Sequence, residues 1–324
     1  MQPCPTLTFT VFTPTYNRKH TLHRAYHSLA AQSCRDFEWL IVDDGSEDGT
    51  EELVKHWQRE GLVPIRYFRQ PHGGAHRAHQ TCLAEARGEL VIKLDSDDGC
   101  AAASLERFKQ HWLAIPDAER ARYAGVTALC LDERGHLVGD TFPASPLDCS
   151  AAELEYVHKV RGEKWGCVRA DVLRQFPFPR DVPGNFIPES YIWVQISRHY
   201  LTRHVNDVLR VYWMDAPSLV HGKPDPKRNA VGNRLMFQMV LIHEARYFRR
   251  APLRLLRAAA QYTRFASHSG SGLRQQWQCL TRISARLLWF ATLPVAAILL
   301  ARDGLRQRPL GEGTALKVPR LSEA

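Results

Sequence analysis

No CxxC pair, internal repeat, low-complexity stretch or apolar run of membrane-crossing length occurs in the 324 residues of this chain. The eight cysteines (Cys4, Cys34, Cys82, Cys100, Cys130, Cys149, Cys167 and Cys279) are scattered, several of them inside apolar stretches. That distribution excludes a structural zinc ribbon and reads as free thiols packed as small hydrophobes in a reducing compartment. The first ten residues hold no basic segment followed by an apolar core, so no export signal is expected and a cytoplasmic location follows. The longest uncharged apolar segment, residues 287–301, is fifteen residues long and interrupted by Pro294, against the roughly 20 that a spanning helix needs. Bounded by Arg286 and Arg302, it is expected to lie in a membrane interface with its arginines on lipid headgroups.

The 43 Lys and Arg and 34 Asp and Glu give a formal net charge of +9, but the excess is unevenly placed. From Val240 to Ala324 there are 14 basic and 4 acidic residues, which leaves 29 and 30 for the first 239. The basic character therefore belongs to a C-terminal appendage and not to the body of the protein. Its uninterrupted apolar block suits an anionic lipid surface better than a phosphate backbone, and nothing resembles a nucleic-acid module, so no nucleic-acid partner is expected.

Along the first hundred residues, strand and helix patterns alternate. Residues 8–13 are an apolar, β-rich run that stops at Pro14, and residues 18–33 show helical spacing through Leu22, Ala25, Leu29 and Ala30. Strands over 37–42, 65–69 and 90–94 then frame helices over 48–57 and 75–87, which indicates a largely parallel sheet covered on both faces. Further on, the pattern predicts a helix over 101–115, a hairpin of 126–131 with 136–138, a helix over 168–176, a helix opened by Pro188 and Glu189, and a strand over 205–213. From Arg228 onward it predicts helices only, the last spanning 275–300.

In such sheets ligands bind beyond the carboxyl ends of the strands. Three polar clusters fall there: residues 13–17, Asp43-Asp44-Gly45-Ser46, and Asp95-Ser96-Asp97-Asp98. An acidic turn that merely capped the next helix would need one aspartate, not three. Three carboxylates closing an apolar strand suggest a site for a hard divalent cation, Mg2+ or Mn2+, held together with substrate phosphates.

Taken together, Phe12-Thr13-Pro14-Thr15-Tyr16-Asn17-Arg18, the run Ile41-Val42-Asp43-Asp44-Gly45-Ser46-Glu47-Asp48-Gly49-Thr50, and Lys93-Leu94-Asp95-Ser96-Asp97-Asp98 resemble the family 2 glycosyltransferases of the GT-A fold, of the kind that builds bacterial cell-surface polysaccharide and lipopolysaccharide. The resemblance covers the first 100 residues almost without gaps and is looser over 120–215. It implies a Rossmann-like α/β domain over residues 1–225, with a nucleotide-sugar-binding half (1–100) and an acceptor-side half (101–225), followed by a basic helical region (226–324). It also implies transfer of a sugar from a nucleotide-sugar donor to an acceptor hydroxyl with inversion at the anomeric carbon. By similarity, Asp97 is the principal metal ligand, and Asp95 faces the ribose or reaches the metal through water. Asp98 either supports the metal or caps a helix. Asp43 accepts a hydrogen bond from the nucleobase and Asp44 serves the same end of the donor. Thr13, Pro14 and Tyr16 frame the base, and Arg77 is a candidate for the donor phosphates.

The family's general base is a carboxylate that opens a helix after the acceptor-side loop, commonly Glu-Asp. Here Pro188-Glu189-Ser190 stands in that place, so Glu189 is the candidate base or, alternatively, a helix N-terminal charge. Asp181 and Asp215 are lesser alternatives. Trp165 and Trp193 flank the acceptor or belong to the core. The chain has no QxxRW motif and no set of spanning helices, which favours single-sugar addition to a glycan or lipid-linked acceptor at the inner face of the cytoplasmic membrane. A sugar-phosphate nucleotidyltransferase would need a glycine-rich loop to grip triphosphate, and residues 13–18 contain no glycine. A non-catalytic membrane- or nucleic-acid-binding protein is the alternative from another class.

Overall fold

The structure, a computed structural model, describes residues 7–180, 182–213, 215 and 226–306. The N-terminal part alternates β1 (Leu7–Thr15), α1 (His23–Ala30), β2 (Phe37–Asp43), α2 (Thr50–Glu60), β3 (Ile65–Arg69), α3 (Ala75–Glu85) and β4 (Gly88–Lys93). There follow β5 (Gly99–Cys100), α4 (Ser104–Leu113), α5 (Asp117–Arg120), β6 (Tyr123–Asp132), β7 (Leu147–Cys149), α6 (Ala151–Tyr156), β8 (Lys164–Arg169), α7 (Ala170–Gln175), α8 (Ser190–Ile196) and β9 (Leu201–Tyr212). The C-terminal region is α9 (Ala230–Glu244), a 3-10 turn (Ala245–Tyr247), α10 (Pro252–His268), α11 (Leu273–Cys279) and α12 (Ile283–Arg306).

All the strands join one sheet in the order β3-β2-β1-β4-β8-β6-β9-β5, with β7 on β9. Strands β1 to β4 pair in parallel, and β8 enters antiparallel between β4 and β6. The period-2 alternation of strand side chains sorts the core into two layers. Phe9, Val11, Trp39 and Ile41 meet Leu22, Leu29, Trp57, Phe108 and Trp112 from α1, α2 and α4 on one face. Phe12, Leu40 and Val42 meet Ala78, Cys82, Val172, Leu173, Ile192 and Ile196 from α3, α7 and α8 on the other. Burial of each large side chain contributes about 1.5–3 kcal/mol, enough to fix which face each strand residue takes.

Several boundaries differ from the sequence pattern. β1 continues through Pro14, because β4 pairing ends at Phe12 and Lys93 and no donor is needed beyond it. Residues 18–22 form turns rather than the first turns of α1. Val168 belongs to β8, paired with Val91 and Gly125, so the helix expected over 168–176 is only α7. The expected hairpin shrinks to a single bridge between Leu131 and Leu137. The last helix divides into α11 and α12, because Leu280 turns into the core of the helical region.

The expectation that fifteen residues and Pro294 rule out a helix of membrane-crossing length also fails. α12 runs through the proline for 24 residues, since one proline removes only one intrahelical bond. Residues 283–304 form a 22-residue stretch that contains an 18-residue window of mean hydropathy 1.9, so length does not exclude a spanning helix. What ties α12 to the protein is a clasp near its end: Asp303, 4% exposed, accepts two hydrogen bonds from the Arg264 guanidinium (2.6 and 2.7 Å) and one contact from His268 (2.8 Å) on α10. Trp289 adds a bond to Gln276 (3.1 Å) on α11. The helical region joins the body where α9 packs on α8 and where Tyr156 of α6 donates to Glu244.

Candidate active site

Because β1, β2 and β4 are parallel, their C-terminal ends open on one edge, and the three polar clusters meet there. The first two loops are stitched together: Asn17 N–H donates to Ser46 Oγ (2.8 Å) and Glu47 N–H to Asn17 Oδ1 (2.9 Å). Asp43 is fully buried, accepting from the Ser46 amide (2.7 Å) and the Tyr67 hydroxyl (2.6 Å). Asp44 accepts from Gln70 Nε2 (2.8 Å), from the Gly73 amide (3.0 Å) and from the Gly74 amide (2.7 Å), and it contacts His72 Nδ1 at 2.8 Å. It thus anchors the loop that starts α3. Glycine is required at 74, where φ is +91° and a Cβ would sit 1.8 Å from the Asn185 carbonyl oxygen. Tyr16, 44% exposed, stacks on His72 with ring centroids 4.2 Å apart. Thr13 is turned away from the opening, its hydroxyl accepting from Trp39 Nε1 (2.9 Å) in the core.

At the end of β4 the carboxylates divide into two that basic side chains bind directly and one that they do not. Lys93 precedes Asp95 by two residues and shares its face of the strand. Its Nζ lies 2.7 Å from Asp95 Oδ1 and also pairs with Glu189. Arg210 of β9, nearly fully buried, reaches Asp95 Oδ2 (2.9 Å) and holds Asp98 through Nε (2.9 Å). Burial alone would raise the Asp95 carboxyl, but Lys93 and Arg210 outweigh it and hold Asp95 down to about 2. Asp98 also takes the Trp213 amide (3.0 Å) and so pins the end of β9 to the turn. Among the described residues no other side chain donates a hydrogen bond to the Asp97 carboxylate, and burial, then the charge of Asp95, pushes it upward. Its main-chain oxygen accepts from Arg24 (3.1 Å), whose guanidinium pairs with Asp215.

This arrangement fits a divalent cation in one specific way. Among the described residues no three His, Cys, Asp or Glu groups enclose an ion by themselves. Mg2+ sites commonly use one or two protein carboxylates and complete the shell with water and substrate phosphates. Asp97 is the carboxylate left for that purpose, Asp95 is within reach at the cost of a lysine contact, and Asp98 is committed to Arg210.

Glu189 is the residue before α8, at its N-cap position, and through Lys93 it is brought to Asp95. Asp215 serves Arg24 instead, and Asp181 lies outside the described residues. Trp165 is a core residue that donates to the Lys93 carbonyl (2.6 Å) and meets Phe108 edge-on, while Trp193 packs on the α3 and α8 side. Arg77 is exposed and its side chain lies over Gly73. Two groups escaped the sequence reading. Lys93 was visible as a strand residue in phase with Asp95, whereas Arg210 is more than a hundred residues away with no local signal. His79 is buried against Phe12 and Phe178, its Nε2 has no partner among the described residues, and burial pushes it down to about 4, so it stays neutral beside Lys93 and Glu189.

A sheet of this order with acidic strand ends on one edge is the GT-A fold, and the solved structures agree. The chain superposes on Staphylococcus aureus TarS, residues 1–349, in complex with UDP-GlcNAc with a TM-score of 0.59 at 16% identity, covering 92% of this chain and 83% of that one. A structure of GalNAc-T7 with UDP, GalNAc and Mn2+ gives 0.50 at 14% identity over 84% of this chain and 57% of that one. Residues 10–121 of the chain match the family model described as Glycosyl transferase family 2. A curated relative, the GalNAc(5)-diNAcBac-PP-undecaprenol beta-1,3-glucosyltransferase of Campylobacter jejuni, is 26% identical over 211 residues, covering 62% of this chain and 63% of the relative. The chain spans less than two thirds of the length of the first curated relatives it matches.

Proposed function

We propose that this protein is an inverting, non-processive glycosyltransferase that moves a sugar from a nucleotide-sugar donor to a hydroxyl of a glycan or lipid-linked acceptor in cell-surface polysaccharide synthesis, assisted by Mn2+ or Mg2+. The observation that carries the reading is the junction at Lys93, which brings Glu189 to Asp95 beside the Asp97 carboxylate, to which no described side chain donates a hydrogen bond. The cation, when bound, supplies Lewis-acid stabilisation to the departing diphosphate. Asp97 holds it, with Asp95 as the second candidate. Asp43 and Asp44 order the loops against which a nucleobase rests, and Pro14 and Tyr16 frame that base. Glu189 accepts the proton of the acceptor hydroxyl, on the acceptor side of the opening and held in place by Lys93. A relative that acts on an undecaprenyl diphosphate-linked glycan supports a lipid-linked acceptor.

The test is a melting-temperature panel of nucleotide-sugars with Mn2+ and Mg2+, followed by transfer assays on Asp97→Ala. One donor with metal should stabilise the wild type, and the variant should keep its fold and lose transfer. Turnover near the wild-type rate in that variant, with metal present, refutes the role of Asp97.

The membrane part of the proposal rests on α12. Ile283, Leu287, Phe290, Val295 and Ile298 are 51–74% exposed along its outer side. Residues 245–306 contain eleven arginines, no lysine and a single acid, Asp303, which is turned inward. An apolar stripe in an entirely positive surround suits an anionic bilayer. The Asp303 clasp sets the mode, since a crossing helix would have to leave Arg264 and His268 without their anion. We therefore place α12 along the inner face of the cytoplasmic membrane, not through it.

A further inference from the structure

Away from the carboxylate edge, a second concentration of charge gathers where α8, α9 and the start of α12 meet. There a pocket of about 140 Å³ is lined by Arg198, His243, Arg246, Arg282 and Ser284, among others. These residues come from three separate places in the sequence: the turn after α8, the end of α9 with its 3-10 extension, and the first turn of α12. None of the three arginines, all of them exposed, forms an ion pair with a described residue. Arg198 instead directs its NH1 to His243 Nδ1 at 2.9 Å. Burial, then the field of Arg198, Arg282, His199 and Arg246, pushes His243 down to about 4, so the ring is neutral at pH 7 and relieves none of the positive charge. Of the two acids of residues 240–306, both buried, Asp303 is held by Arg264 and His268, and Glu244 accepts from Tyr156 while feeling the charge of Arg246 without pairing with it.

Three arginines lining one pocket concentrate positive charge that an anion would relieve. The remaining lining has the same polarity. α12 is 24 residues long, the amides of its first turn have no intrahelical acceptor, and its dipole places partial positive charge at that end. Ser284 adds a hydroxyl donor. Guanidinium forks, free amides and a hydroxyl form a donor set suited to the several acceptor oxygens of a phosphate.

We propose that this pocket binds a phosphate or diphosphate group, either on the headgroup of an anionic lipid or on a free phosphorylated molecule. The site is separate from the carboxylate edge: its lining shares no residue with that edge, and Arg198 lies past the C-terminal end of α8 whereas Glu189 precedes its start. It therefore does not depend on the transfer chemistry.

The experiment uses the full chain and its Arg246→Gln/Arg282→Gln double variant, both exposed positions without ion pairs, with unchanged melting temperature as the check on folding. Calorimetric titration with inorganic pyrophosphate, in the presence of saturating UDP to occupy the donor edge, should show a site that the double variant weakens at least about tenfold, the loss expected from one charge-assisted hydrogen bond. In parallel, co-sedimentation with phosphatidylcholine vesicles with and without phosphatidylglycerol separates the sources. Loss of both pyrophosphate binding and phosphatidylglycerol-dependent sedimentation supports a lipid headgroup. Loss of pyrophosphate binding alone supports a free phosphorylated ligand. Pyrophosphate binding that is absent from the wild type or unchanged in the variant overturns the proposal, even if sedimentation falls, because diffuse surface attraction would then account for it.

Discussion

Replacing Glu244 by glutamine probes the joint between the sheet body and the C-terminal helices. Glu244 is 4% exposed, and burial pushes its carboxyl from the ordinary 4.5 up to about 7, against the opposing effects of the Tyr156 hydroxyl and Arg246. Tyr247 of the 3-10 turn stacks on Tyr156 (5.0 Å, 7°) and closes the surroundings. Between pH 4.5 and 7 the folded protein keeps a proton that the unfolded chain has released, so folding stability falls as pH rises through that window, by up to about 1.4 kcal/mol per pH unit. The accumulated cost is about 3 kcal/mol and is constant above about pH 8. Glutamine preserves the shape and the hydrogen-bonding capacity but does not titrate. Melting temperatures of Glu244→Gln and wild type should therefore coincide near pH 5 and diverge with rising pH, the variant reaching about 5 °C or more above wild type at pH 8. Two curves that run parallel across the whole range, or a wild type that is the more stable at pH 8, would refute the reasoning.

Two further substitutions address the site and the appendage. Glu189→Gln should lower kcat about 100-fold or more with donor affinity unchanged, measured by initial rates and by donor titration; a variant within a few-fold of wild type places the base elsewhere. Asp303→Ala leaves Arg264 and His268 facing an absent anion and should cost about 3 kcal/mol in urea unfolding, with more dye binding to exposed apolar surface; a cost below about 1 kcal/mol would mean that the clasp does not hold α12.

What the sequence made legible follows the reach of its signals. The alternation of strand and helix, and the position of aspartates at strand ends, are local patterns, so the N-terminal half and the meeting of Asp43, Asp44 and Asp95 could be read before any coordinates. The acceptor-side half could not be read as well. Its strands β5 and β7 are two and three residues long, and the end of β8 at residues 168–169 read as helical because it leads directly into α7. Arg210 shows the same limit at the site. Nothing near it in sequence marks it as the partner of Asp95 and Asp98, and only the pairing of β9 beside β6 and β5 brings it there. The α12 expectation rested on run length and a proline, both local, whereas the helix is held by a contact between residues 264 and 303 that periodicity does not encode.

The arginine-only composition of residues 245–306 has a consequence for control. A guanidinium does not lose its proton at any pH a cell reaches, and lysine acetylation finds no substrate in this stretch. Neither acidity nor that modification can therefore switch off the attraction of this surface for anions. Ionic strength remains, because mobile salt shortens the range over which these charges are felt.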